Sequence, residues 1–264
     1  KGKVPIVADF MASRWAYEAM AVHQFKNNDF QKSYYELNKG EAQADFKAAY
    51  VEKELRKKRQ YILENYQSES DSIKGIVAKD LAILKKELMA DPFKEGIEDI
   101  DFDRLTPGTY SPEIDNALNA YLNAYKKHYQ KLYNENVKTK DKKIFFFENN
   151  GDYNLNEYKD AYFNQSLADL VTNVNEKDRI IEYQGELIQQ FNSVYNEPDD
   201  PSNPLDYRAH FFAPVKHFIG SYFDTYFFNL LVIWLMTILL YAALYFELLR
   251  KGLSALSKIK FGRK

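Results

Sequence analysis

The stretch Tyr226–Phe246, YFFNLLVIWLMTILLYAALYF, is twenty-one residues long and carries no charge. Only Asn229 and Thr237 interrupt its apolar run, and a threonine hydroxyl bonds readily to the backbone of its own helix. At 1.5 Å per residue such a helix is about 31 Å long, the thickness of a bilayer's hydrocarbon core. Tyr226, Phe227 and Phe228 at one end, and the surroundings of Tyr245 at the other, resemble interfacial aromatic belts. A buried helix in a large soluble core is the competing reading. Such helices are rarely this long without a charge, so a membrane span is expected.

Charge sets the expected orientation. Beyond Glu247 there is no acidic residue, but there are six basic ones: Arg250, Lys251, Lys258, Lys260, Arg263 and Lys264. The first 249 residues hold 30 of the 36 basic and all 38 acidic side chains, a net charge of −8. By the positive-inside rule the tail 250–264 stays in the cytoplasm and residues 1–225 lie outside, with a bacterial inner (cell) membrane between them. Leu253–Phe261 either follows the anionic inner leaflet or forms a solvated end. The overall balance of −2 gives no support to a nucleic-acid partner. Absence of cysteine excludes disulfides, thiolate metal sites and a cysteine nucleophile. The chain opens on Lys1 rather than Met, which suggests a piece or processed product of a longer protein, and no signal peptide is visible.

Between residues 41 and 195 apolar side chains recur at helical spacing. Ile73, Ile76, Val77, Leu81, Leu84 and Leu88 form one stripe. Ile114, Leu118, Leu122, Tyr125, Tyr129 and Leu132 form a second. Tyr158, Tyr162, Leu167, Leu170, Val171 and Val174 form a third, and Ile180, Leu187, Ile188, Phe191 and Val194 a fourth. Ser111-Pro112-Glu113 reads as a helix start, and Asn154 with Glu157 as a capping box. Asp91-Pro92, Thr106-Pro107-Gly108 and Asn149–Asp152 read as breaks, and a loop of low hydrophobicity runs from Glu197 to Pro204. Only KKIFFFEN, residues 142–149, looks like a strand. The expected fold is all-α: an extracytoplasmic helical domain, as a bundle or long hairpins, followed by one C-terminal transmembrane helix.

Catalytic motifs are missing. Asp99, Asp101 and Asp103 alternate as in a calcium loop, but Arg104 and Tyr110 stand where that loop needs Gly and Glu, and a solvated acidic loop is the simpler reading. His23, His128, His210 and His217 are scattered, and none forms a metal-ligand pair. His210 and His217, seven apart, are placed to share a helix face without a third ligand. There is no phosphate loop, dinucleotide fingerprint, nucleophile elbow or zinc-protease helix. Lys138–Lys143 reads as a basic helix-tip loop. No catalytic, cofactor or metal residue is assigned, and the chain is not expected to be an enzyme.

Near the start, DFMASRWAYEAMAVHQF, residues 9–25, stands apart from the polar helices that follow. Taken alone it reads as an amphipathic helix with Met11, Trp15, Ala19 and Val22 inward. Its pattern Ser13-Arg14-Trp15-Ala16-Tyr17-Glu18-Ala19-Met20, running to His23-Gln24-Phe25-Lys26, resembles the segment after the fifth membrane helix of type-2 ABC exporter permeases. The subfamily is G, the pigment and sterol exporters. In those proteins a small residue or proline precedes Arg and an aromatic, followed by a small–large apolar pair and Asn-Glu-Phe; here His23-Gln24 replaces Asn-Glu. Asp224–Met236 resembles the start of their sixth and last helix, which leaves into a short basic tail. Together the two regions cover about seventy residues, and the combination is most similar to Bacteroidetes-type ATPase–permease fusions with a long insertion between these helices.

The resemblance implies the following organisation. Residues 1–28 form a short membrane-proximal helix on the outer face, 29–206 a helical extracytoplasmic insertion and 207–225 the approach to the membrane. Residues 226–249 form the transmembrane helix and 250–264 the cytoplasmic tail. It implies the permease portion of an ATP-driven exporter of an unidentified substrate, with lipids and hydrophobic compounds as candidates. ATP and Mg would belong to an associated ATPase domain or subunit. The remaining partners would be other permease spans, membrane lipid and a second copy in a homodimer. At the outer face Trp15 and Tyr17 suit an interface, and Arg14 is expected to reach water or headgroups. Arg14 and Glu18, one turn apart, are expected to pair. Asn229 and Thr237, eight apart near one helix face, are expected to meet other spans. The alternatives are a membrane-anchored helical sensor or binding module and, more weakly, a structural anchor.

Overall fold

The computed structural model describes residues 4–95, 97–98, 100–150, 154–199, 201–251 and 254. They form two compact units: residues 25–196, and residues 4–24 together with those from 197 onward.

In the first unit, helix α2 (Tyr35–Asp45) runs through a π-helical turn (Phe46–Val51) into helix α3 (Glu52–Asn65). The widened turn lets Phe46 and Val51, five residues apart, both reach the core. Helix α4 (Asp71–Ala90) folds back on α3 after a short link, and helix α5 (Pro112–Asn150) packs along both α2 and α3. At 1.5 Å per residue α5 is about 58 Å long. Its pairs with the α2–α3 rod descend in number as the rod ascends, so the two run antiparallel. Lys143 donates to the Ser33 carbonyl at 3.1 Å and Lys140 pairs with Glu41. Further along, Lys126 lies 3.5 Å from Glu52, Arg56 reaches Asn123 and Asn119, and Arg59 meets Asp115 at 2.5 Å. Gly40 permits the close approach: a Cβ there would stand 2.8 Å from Asn136 Nδ2. Leu55, Ile62, Val77, Leu81, Leu84, Leu88, Leu118 and Leu122 fill the core, with Tyr121 and Tyr125.

Asp91, just past α4, ties these helices together. Its buried carboxylate accepts from Tyr129 at 2.6 Å, Tyr125 at 3.1 Å and the Phe93 amide at 2.9 Å, and meets Lys47 of the π-turn at 2.8 Å. Burial pushes this carboxyl up, but Lys47, Tyr129 and the Phe93 amide outweigh it and hold Asp91 below the usual carboxylate value.

Helix starts and breaks follow the sequence signals closely. α4 stops before Asp91-Pro92, and α5 starts at Pro112, although the Ser111 hydroxyl makes no hydrogen bond there. Asn154 accepts from the Asn156 amide and begins helix α6 (Leu155–Tyr162); Asn164 caps helix α7 (Gln165–Thr172). Thus the third stripe is two short helices broken at Phe163–Asn164. The chain is mainly helical but not all-α. Ile180–Gln189 is an antiparallel hairpin, β1 (Ile180–Tyr183) with β2 (Glu186–Gln189), where a helix was expected. Its turn places Gln184 and Gly185 at positive φ, 50° and 78°, which closes a two-residue hairpin and cannot continue a helix. KKIFFFEN is the opposite error: residues 142–149 complete α5, because its charged and amide residues continue the helix and its aromatics sit at the far end. Asp99 and the stretch 151–153 lie outside the described residues.

The second unit contains a 3₁₀ turn (Ile6–Phe10) and helix α1 (Ala12–Asn27, as far as Gln24). After an extended stretch come the hairpin β3 (Val215–Phe218) with β4 (Ser221–Asp224), and helix α8 (Thr225–Tyr245). Residues 197–199 and 201–206 group with this unit. The Pro204 carbonyl accepts from Ile219 N at 2.6 Å and the Asp206 carbonyl meets His217 Nδ1 at 3.1 Å. The segment 207–225 contains the hairpin, so the approach to α8 is not helical. α8 is long and apolar enough to cross a membrane, and only 11% of its most apolar 18-residue stretch is buried. A helix in a soluble core would be mostly covered. Beyond α8, of the six basic residues only Arg250 and Lys251 are among the described ones.

Candidate functional site

In α1 the helical period brings Trp15, Glu18, Ala19 and Val22 to one face, and all four are buried. Met11, placed on the same stripe by the sequence, is half exposed because it precedes the helix. A carboxylate on a buried face is costly unless it is paired. Glu18 is fully buried and its two oxygens are divided among partners from three elements. Lys216 of β3 donates to Oε1 at 2.7 Å, Asn229 Nδ2 of α8 donates to Oε2 at 3.0 Å, and Arg14 approaches Oε2 at 3.6 Å. Asn229 Nδ2 also donates to the Trp15 carbonyl at 3.1 Å.

Arg14 stands 3.6 Å from Asp9 and 4.0 Å over the Trp15 ring; Asp9 accepts from Tyr207 at 3.1 Å, and the Asp9 carbonyl from the Trp15 indole at 2.9 Å. Asp9 and Glu18 thus face Arg14 and Lys216, and Arg208, which donates to the Val4 carbonyl, lines the same void. Trp15, Tyr207 and Phe228 form an aromatic triangle with ring centroids 6.0–6.2 Å apart. The Lys216 ammonium is nearly inaccessible, at 1% exposure. Burial depresses its pKa, Glu18 raises it only in part, and Arg14 adds to the depression. The void beside the cluster, lined by Asp9, Arg14, Trp15, Tyr207 and Lys216 among others, has no room for a water-sized body. Closed to a water-sized body, the cluster fastens α1 and β3 to the first turns of α8 and leaves no opening for a substrate. The helix start is secured further by Asp224, which accepts from the Tyr226 amide at 3.0 Å, and by Thr225, whose hydroxyl donates to the Ala213 carbonyl at 2.6 Å.

Four of the five residues singled out by sequence, Arg14, Trp15, Glu18 and Asn229, meet in this cluster. Thr237 does not: its hydroxyl returns to the Ile233 carbonyl at 2.9 Å on the exposed face of α8. Two expectations need correcting. Trp15 is buried, at 2% exposure, rather than interfacial, because its indole N–H is bonded inward and Arg14 covers the ring. Arg14 itself is folded against Asp9 and Glu18 with a side chain only 9% exposed, so it does not reach outward. Tyr17 does stay half exposed, beside Phe211 and Phe212. Sequence reading missed Lys216, Asp9 and Tyr207. The signal available was a single lysine in an otherwise apolar and aromatic strand, Val215–Phe218.

Three of the four histidines pack against aromatic rings. His23 packs on Tyr226 at 4.3 Å, His128 on Phe93 at 4.6 Å and His217 on Tyr222 at 5.4 Å. His217 lies in β3 and His210 in the loop before it, so they share no helix. Among the described residues no group of three or more His, Asp or Glu is arranged to hold a metal ion. No family model, curated protein or solved structure matches the chain.

Proposed function

We propose that this chain is the permease portion of an ATP-driven exporter of the ABC-2 type, carrying the extracytoplasmic region and the last membrane helix. The observation that carries the reading is the Glu18–Lys216–Asn229 cluster, which holds α1 against the first turns of α8. A segment that re-enters after a fifth span must rest beside the outer end of the sixth. A buried ion pair with an amide from α8 is a means of fixing it there. The division of the chain supports the same arrangement, since residues 25–196 interrupt the second unit as an insertion. In this reading residues 1–225 are extracytoplasmic and the tail is cytoplasmic. ATP with its Mg is held by a nucleotide-binding domain elsewhere, and the transporter works as a dimer moving a lipid or hydrophobic compound.

The test is export by the assembled transporter. Glu18→Gln and Lys216→Met should each reduce ATP-dependent efflux of the exported lipid or hydrophobic compound while the protein still reaches the membrane. Deleting residues 41–195 should abolish it. A full-length reading frame with neither further spans nor a nucleotide-binding partner would refute the proposal.

A second reading, a membrane-anchored binding module, is favoured by one feature. A groove of about 760 Å³ lies between the α2–α3 rod and α5, floored by Ala48 and Ala49. The side chains of Asp45, Lys53, Gln130 and Asn134 line it and make no hydrogen bond or ion pair among the described residues. A soluble ligand bound there with no associated export would favour this alternative.

A further inference from the structure

The chain contains two hairpins of the same construction. Each has two four-residue strands and a two-residue turn ending in glycine, with both turn residues at positive φ: 50° and 78° at Gln184-Gly185, 49° and 73° at Ile219-Gly220. Such turns favour Asn, Asp or Gly at the first position, and a polar residue there is unremarkable. A β-branched side chain in the left-handed region is a steric outlier. Ile219 nevertheless occupies it, 66% exposed, with its amide bonded to the Pro204 carbonyl. In water this residue would gain nothing from the strain.

The surroundings say what it gains. Phe218–Phe223, FIGSYF, carries no charge, whereas the corresponding Tyr183–Ile188 turn region of the other hairpin, YQGELI, includes Glu186. Around the tip Leu205, Tyr222, Phe223 and Phe227 are all substantially exposed, at 45–66%. β4 leads directly into α8, and the Phe218 ring contacts Phe228, one turn inside that helix, at 5.8 Å. The tip therefore lies alongside the first turn of the apolar helix rather than projecting away from it. Beside that contact the same first turns of α8 present Phe227, Leu230 and Leu231 as exposed apolar side chains.

We propose that the β3–β4 tip is an interfacial anchor that dips into the outer leaflet beside α8. Ile219 and Phe223 enter the acyl boundary, and Tyr222 sits at headgroup level, where aromatic rings with a polar edge are favoured. The occupant is lipid, not a protein partner, and the inference rests on the reading of α8 as a membrane span. It adds a second point of attachment, which fixes the rotation of the unit about α8 and not only its depth.

Because the chain has no cysteine, single-cysteine variants carry one label each. Ile219→Cys, Leu235→Cys on α8 and Lys127→Cys on the exposed side of α5 are labelled with a nitroxide. The full chain is then placed in vesicles of phosphatidylethanolamine and phosphatidylglycerol. Collision with oxygen, which concentrates in lipid, is compared with collision with a water-soluble nickel chelate. The label at 219 should favour oxygen several-fold over the label at 127 and lie about 5–10 Å below the headgroups, the depth of interfacial elements. If 219 behaves like 127 while 235 lies in lipid, the anchor is refuted and the span stands. A label at 219 shielded from both reagents means a protein partner covers the tip, which also refutes it. If 235 itself is in water, the membrane reading fails and the anchor with it. A second variant removes dependence on the label at the strained position. Ile219→Asn suits the left-handed turn and should leave thermal stability in detergent unchanged or higher, yet it should move a label at Tyr222→Cys several-fold toward water. No movement at Tyr222 overturns the proposal.

Discussion

Replacing Lys216 by methionine keeps the length of the side chain and removes its ammonium. Glu18 is then left fully buried, with its Oε1 bond of 2.7 Å lost. Breaking a buried ion pair by removing one partner costs about 3–5 kcal/mol, because the other charge stays desolvated. Here Asn229 at 3.0 Å and Arg14 at 3.6 Å remain on Oε2, so the loss should fall at the low end, about 3 kcal/mol. That is about a hundredfold change in the folding equilibrium. Trp15 reports it directly, since it is buried in the cluster and Trp234, the other tryptophan, lies exposed on α8. In a Trp234→Phe background, denaturant unfolding of the detergent-solubilised chain should show the Trp15 emission shifting red at lower denaturant in Lys216→Met. Adding Glu18→Gln should restore most of the loss, because the amide removes the orphaned charge. If Lys216→Met alone is as stable as the parent, or the double variant is no better than the single, the pair does not hold α1 to α8 as described.

Asp91→Asn should destabilise the first unit by about 3 kcal/mol or more, since it removes the charge that Lys47 and two tyrosines address; chemical denaturation followed by far-UV dichroism reads it. Tyr129→Phe, which removes one hydrogen bond to that carboxylate, should cost about 1.5–3 kcal/mol in the same assay. The pH profile should be bounded on both sides. Asp91 is held below its ordinary value of 3.8, so its contribution is present above pH 3.8 and is lost as acid titrates the folded form. Burial raises Tyr110, Tyr121, Tyr125 and Tyr129 above their ordinary 10.0, so their contribution is present below pH 10 and is lost progressively above it. Lys216 has the reverse sign: its folded pKa lies below 10.5, so the second unit gains stability as pH rises from that folded value towards 10.5, and Lys216→Met should flatten this rise in Trp15-monitored melts. Thr237→Val should change neither stability nor any export activity, because its hydroxyl only returns to its own helix.

Much of the helical framework was legible because its signals are local. Asp91-Pro92 marks the end of α4, Ser111-Pro112 the start of α5 and Asn154 the start of α6, and the 3.6-residue stripes mark the faces that α4 and α5 bury. The errors came where a local pattern carried two readings. Ile180, Leu187 and Ile188 are spaced well enough for a helix, and only Gln184-Gly185 indicates that the chain reverses. IFFF reads as strand by residue preference, yet it closes a helix already thirty residues long. Of the candidate site, Arg14 and Glu18 were legible as a pair one turn apart in α1, and Asn229 as an amide in an otherwise apolar span. Lys216 and Asp9 were not, since nothing local links them to Glu18. Their partnership depends on a hairpin bringing residue 216 back to residue 18, a contact almost two hundred residues apart in sequence. Only the fold supplies it.

The central claim is that α8 crosses a membrane with α1 and the inserted unit on its outer side. Two single-cysteine variants test it in intact cells expressing the protein: Lys127→Cys on the exposed side of α5, and Ser254→Cys beyond α8. With a membrane-impermeant maleimide, the account requires Lys127→Cys to label in intact cells and Ser254→Cys to label only after lysis. Labelling of Ser254→Cys in intact cells, or protection of both sites until lysis, would contradict it.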